Sequence, residues 1–139
     1  MNNMSQAEKM SNQDWQRFFL ICIEVLGAGM PNAKDSKSWC AWTTFRRLNE
    51  DAAYWTSGLP NRNDVRDSFI ADGGVWGQPF HYSEIAHILI PSEFRWETEP
   101  GPAFSTGTRH QDIDQVSSRL KQASIEHRIT KLVLEIKRF

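Results

Sequence analysis

The chain has 139 residues, 40% of them hydrophobic and 24% charged, with 16 Lys and Arg against 17 Asp and Glu. That length supports one domain whose core needs no staples, and the composition excludes a disordered chain. The cations divide evenly, 8 before residue 70 and 8 after it, against 8 and 9 acids. Neither half is therefore a basic module of the kind that binds nucleic acid by displacing counterions.

Residues 1–10 are polar and read as a flexible leading segment, with a single domain over 11–139. "MNNMSQAEKMSNQ" holds no apolar stretch of the secretory kind, so a cytoplasmic location is the default expectation. Ser11 and Asp14 are spaced as a capping box, and Trp15, Phe18, Phe19, Cys22, Val25 and Leu26 recur as one apolar helical face. Gly27 and Gly29 stop this helix, and Pro31 prevents its resumption. "FFLICIEVLGAGM" is broken by Glu24 and is too short to span a bilayer, so no membrane partner is expected. "GAGMPNAK" has the wrong spacing for a phosphate loop and lacks its Lys-Ser/Thr pair. Cys22 and Cys40 are the only cysteines, with no CxxC, so neither a zinc site nor a disulfide framework is expected.

"KSWCAWTTFRRL" alternates Trp39, Ala41, Thr43 and Phe45 against Cys40, Trp42 and Thr44, which favours a strand; a helix over Asp35–Asn49 is the alternative. "SGLPNRND" is a loop, "VRDSFIA" a short strand, and "DGG" a turn. From Phe80 to Ile90 the chain reads as a mostly buried strand that Pro91 ends. On such a strand His81 and His87 share a face but stand roughly 20 Å apart, at about 3.3 Å per residue, and cannot chelate one ion. Glu84 would point to the opposite face. Phe94 and Trp96 suggest a brief return strand, and a long loop follows through Gly107. Ile113, Val116, Leu120 and Ala123 mark a second helix, with Asp112 and Asp114 in its first turn. "RITKLVLEIKRF" closes the chain as a strand with Leu132, Leu134 and Ile136 on one face.

The fold class expected is α+β: an antiparallel or mixed sheet of about four to five strands, an N-terminal helix, and a second helix before the C-terminal strand. No nucleophile or metal motif stands out, and no cofactor or metal is expected. His81 and Glu84 could form an acid–base pair, which makes a small hydrolase-like enzyme the alternative function. The six tryptophans carry more information. Trp55 and Trp76 lie in loop-like surroundings and either fold back over the core or anchor a partner. With Glu50, Asp51 and Asp72 nearby in sequence, they are the candidate partner-binding residues. A terminal strand left at a sheet edge would also invite a homodimer.

"GGVWGQPFHYSEIAHILIP" and "HRITKLVLEIKRF" together resemble stretches of small bacterial proteins of unassigned function, which look like the single-domain immunity proteins encoded beside polymorphic toxins. The resemblance implies a genetic setting and a non-catalytic role, namely binding a cognate toxin in the cytoplasm. It carries no functional residue over to this chain.

Overall fold

The structure, a computed structural model, describes residues 10–50 and 53–139. Helix α1 spans Asn12–Leu26 and starts where the capping box places it. Ser11 Oγ accepts from the Asp14 amide at 3.0 Å, and Asp14 Oδ2 accepts from the Ser11 amide at 3.3 Å. Gly27, at φ 99°, ends the helix. Residues 1–9 of the expected loose segment lie outside the described residues; Met10 packs half-buried against the core.

Gly29 and Gly58 mark a crossing of two loops. The Gly29 amide donates to Leu59 O and the Gly58 amide to Met30 O, and a Cβ on Gly29 would lie 2.3 Å from Gly58 Cα. Ser36 and Ser38 are wholly buried beneath it, their hydroxyls accepting from the amides of Met30 and Leu59. Gly29 of "GAGMPNAK" therefore serves backbone contact, while Gly27 serves the helix end.

The ambiguous tryptophan segment contains both elements. Strand β1 is Cys40–Thr44, and the short helix α2 is Phe45–Asn49, with Thr44 Oγ1 accepting from the Arg47 amide as its cap. β2 is Trp55–Ser57. The strand expected in "VRDSFIA" shrinks to β3, Phe69–Ile70, which pairs with β4, Phe80–His81. A 3-10 turn at Tyr82–Glu84 then breaks the single strand expected over Phe80–Ile90, and β5 runs Ile85–Pro91. Pro91 lies within the pairing, opposite Val133.

The long loop expected after Trp96 contains a strand. β6, Glu93–Glu97, pairs with β7, Thr106–His110, as a hairpin. Arg109 Nη1 ties it down by donating to the carbonyls of Ala33, Lys34 and Ser36. Helix α3, Ile113–Gln122, is capped by Asp112. It ends in a Schellman turn, with Ile125 N–H bonded to Leu120 O and Ser124, at φ 59°, in the position usually held by glycine. β8, Arg128–Ile129, and β9, Val133–Lys137, replace the one closing strand expected.

The main sheet has the order β2-β1-β5-β9-β8, and every pairing is antiparallel. The architecture is the α+β class read from the sequence. β9 is not an edge: β5 and β8 flank it, and the edges are β2 and β8. A dimer route through the terminal strand's edge therefore loses its premise. Trp15, Phe18, Phe19 and Cys22 of α1 and Val116 and Leu120 of α3 join Trp42, Ile88, Ile90, Leu134 and Ile136 in one core, so both long helices cover the same sheet face. Among the described residues, no helix is long and apolar enough to cross a membrane.

Candidate functional site

The register brings particular residues together on the sheet face that the long helices leave bare. Ala41 pairs with Leu89 and Thr43 with His87; across β5, His87 pairs with Lys137, Leu89 with Glu135, and Pro91 with Val133. Side chains of directly paired residues share a face. Leu89, Ala41, Val133 and Trp39 are half-buried there, and Trp39 stacks on Phe94 of the hairpin at 5.8 Å.

A chain of hydrogen bonds crosses this face. Tyr54 Oη lies 2.7 Å from His87 Nδ1, and His87 Nε2 lies 3.2 Å from Glu135 Oε1. A carboxylate can only accept, so Nε2–H donates to Glu135. Nδ1 of the neutral ring then accepts the Tyr54 proton, an assignment of tautomer made from the bonding partners. Burial holds the His87 imidazole below its usual range; Glu135 pulls the other way and Lys137 adds to the depression. Burial also pushes the Tyr54 phenol up, with help from the Glu135 charge. Phe139 meets the imidazole edge-on at 5.9 Å, and Lys137 Nζ sits 4.7 Å over the Phe139 ring. The hydroxyl of Thr43, at 0% exposure, has no hydrogen-bond partner among the described residues. Glu135 and Lys137 also line a cavity of about 200 Å³ with Glu126, Arg128 and Arg138.

His87 bonds through both ring nitrogens. Tyr54 and Glu135 were not singled out. The one local signal was Glu135 interrupting an apolar strand, and nothing local pairs it with a residue 48 positions away.

The two tryptophans singled out have different fates. Trp76 is 4% exposed, stacks on Trp42 at 3.8 Å and 10°, and donates its indole N–H to Gly58 O. It is a core residue rather than a surface contact, because its loop folds back over Trp42. Trp55 is half-buried on β2, with the Arg47 guanidinium 4.0 Å above its ring and Phe80 edge-on at 4.9 Å. Glu50 is exposed and ion-pairs with Arg46 at 3.5 Å. Asp72 is exposed and accepts from the Gly74 amide. Asp51 lies outside the described residues. Among the described residues, no hydrogen bond or ion pair joins Glu50, Asp72 and Trp55.

His81 and Glu84 meet differently from the opposed faces expected. The 3-10 turn lets Glu84 Oε1 accept from the backbone amide of His81 at 3.1 Å, so the carboxylate braces the main chain instead of the imidazole. Among the described residues, no group of three or more His, Cys, Asp or Glu side chains is placed to hold a metal ion. Ser117 Oγ lies 2.6 Å from His127 Nε2, and His127 Nδ1 lies 2.8 Å from Ile125 O. Ser117 is almost wholly buried, and the pair pins the turn after α3. Both cysteines are free and buried, and burial raises both thiols well above their usual range.

No protein-family model, curated protein or solved structure matches this chain.

Proposed function

We propose that this protein acts by binding another macromolecule, as a cytoplasmic immunity-type protein that neutralises a cognate bacterial toxin by direct contact and needs no cofactor. The observation that supports this reading is the sheet face that the long helices do not cover. A sheet covered on one side normally turns polar residues to water on the other. Here that side carries half-buried Trp39, Ala41, Leu89 and Val133 beside the polar row Tyr54, His87, Glu135 and Lys137. An apolar centre bordered by hydrogen-bonding groups is the make-up of a recognition surface. Trp55, Glu50, Asp51 and Asp72 are further proposed contacts outside this face; Trp55, paired with Trp42 on the core side, is the aromatic anchor at the sheet's edge. Trp76 supports that region from within the core.

The test is co-expression with the product of the neighbouring open reading frame. Wild-type chain is expected to restore growth against a toxic neighbour. Leu89→Asp is expected to lose that protection and, with its carboxylate set opposite Glu135, to melt somewhat lower, so circular dichroism at the assay temperature checks that the variant is still folded. A neighbour without toxicity, or full protection by Leu89→Asp, removes the basis of the reading.

A further inference from the structure

We infer that Tyr54 is a base-assisted nucleophile, set up to receive an anionic tetrahedral group from an activated phosphoryl or sulfonyl donor. This goes beyond the binding role and does not depend on it. Three features meet at one place. The phenol proton is already aimed at a proton acceptor, His87 Nδ1, at 2.7 Å. Glu135 holds the far nitrogen of the same ring, fixing its tautomer and steadying the positive charge that would form. Lys137 stands opposite His87 in the strand register and supplies a cation beside the ring. Glu135 and Lys137 also line the neighbouring cavity.

The hydroxyl–imidazole–carboxylate order is that of an activated nucleophile, with a phenol in place of an alcohol. Burial keeps the phenol protonated at rest, so activation comes from the acceptor in place rather than from a standing phenolate. The same burial keeps His87 neutral and able to take the proton. In the step itself, Tyr54 Oη forms the new bond to phosphorus or sulfur as the bond to the leaving group breaks. The phenol proton passes to Nδ1, and the leaving group departs with its electron pair. Lys137 offsets negative charge on the incoming group. The titratable groups facing His87 are Tyr54, Glu135 and Lys137.

The chain supplies its own control, since its other tyrosine, Tyr82, is wholly buried and donates to Arg66 O at 2.6 Å. The probe is 4-carboxybenzenesulfonyl fluoride, from which fluoride leaves, with its uncharged methyl ester as comparison. Peptide mass spectrometry of the folded full chain reads the rate at each tyrosine. Tyr54 is expected to react about tenfold or more faster than N-acetyltyrosinamide, with Tyr82 unlabelled. His87→Gln is expected to lower the Tyr54 rate about tenfold. Lys137→Met is expected to slow the carboxylate reagent about threefold and leave the ester unaffected. In the wild type the rate should follow the deprotonation of His87 and level off well below the range where phenols ionise. A Tyr54 rate equal to that of the free amide, or unchanged in His87→Gln, overturns the inference. Should His87→Gln not fold, Glu135→Gln decides in its place: a slower rate supports the relay, and an unchanged one overturns it.

Discussion

His87 shows how one residue's environment becomes a property of the molecule. The residue is 8% exposed, and burial lowers its proton affinity more than Glu135 restores it. The folded state thus binds the His87 proton less readily than the unfolded chain, whose imidazole titrates near 6.5. Between the depressed folded value and 6.5 the unfolded state carries more proton. Stability contributed by the neutral ring is therefore complete above 6.5 and declines as the pH falls through that window. Melting temperature followed from pH 7.5 down to 5 should drop more steeply in the wild type than in His87→Gln. Parallel curves would mean that the imidazole is not held in the neutral form. The histidine was legible in the sequence as a strand residue. Its low proton affinity was not, because Tyr54, Glu135 and Lys137 reach it through strand pairing.

At the scale of elements, the chain obeys local rules where its own neighbours supply the partner. Helix α1 begins and stops where Ser11, Asp14 and Gly27 dictate. Local rules fail where the partner is distant. The run from Phe80 to Ile90 looks continuous, yet the Glu84 carboxylate caps the His81 amide and turns the chain. β7, made of Thr106, Gly107, Thr108, Arg109 and His110, has no apolar alternation to announce it. It is a strand because β6 pairs with it and because the Trp96 indole lies over Gly107, leaving no room for a side chain there. The Gly29–Gly58 crossing is a second such case. Gly58→Ala should destabilise the protein by about 2 kcal/mol or more, since a Cβ would come within 2.6 Å of Gly29 Cα, the Met30 amide nitrogen and the Ser36 hydroxyl. Urea denaturation reads the effect, and a variant as stable as the wild type would show that the two loops separate readily.

For the whole molecule, the arrangement of tryptophans separates stability from recognition. Trp76 lies between the loop that carries it and Trp42, within an aromatic core that includes Phe19 and Phe80. Trp55 borders the same core but keeps part of its ring under Arg47 at the sheet's edge. Trp76→Ala should cost about 3–5 kcal/mol and Trp55→Ala clearly less, as the smaller buried area requires. Equal losses in urea denaturation would contradict this division. The short edge strands complete the picture: β2 and β8, of three and two residues, offer little ladder for another chain to extend.

The sequence by itself determined the two long helices, most of the alternating strands and the α+β class, because each rests on contacts within a few residues: a cap three positions away, an apolar face every three or four. Only the tertiary structure decided that β9 lies inside the sheet, that Trp76 turns inward, and that Tyr54, His87 and Glu135 form one row. Those three residues are 33 and 48 positions apart and meet only because β2, which follows Tyr54 directly, pairs with β1, β1 with β5 and β5 with β9. Local propensity makes a strand but carries no information about which strand will lie beside it.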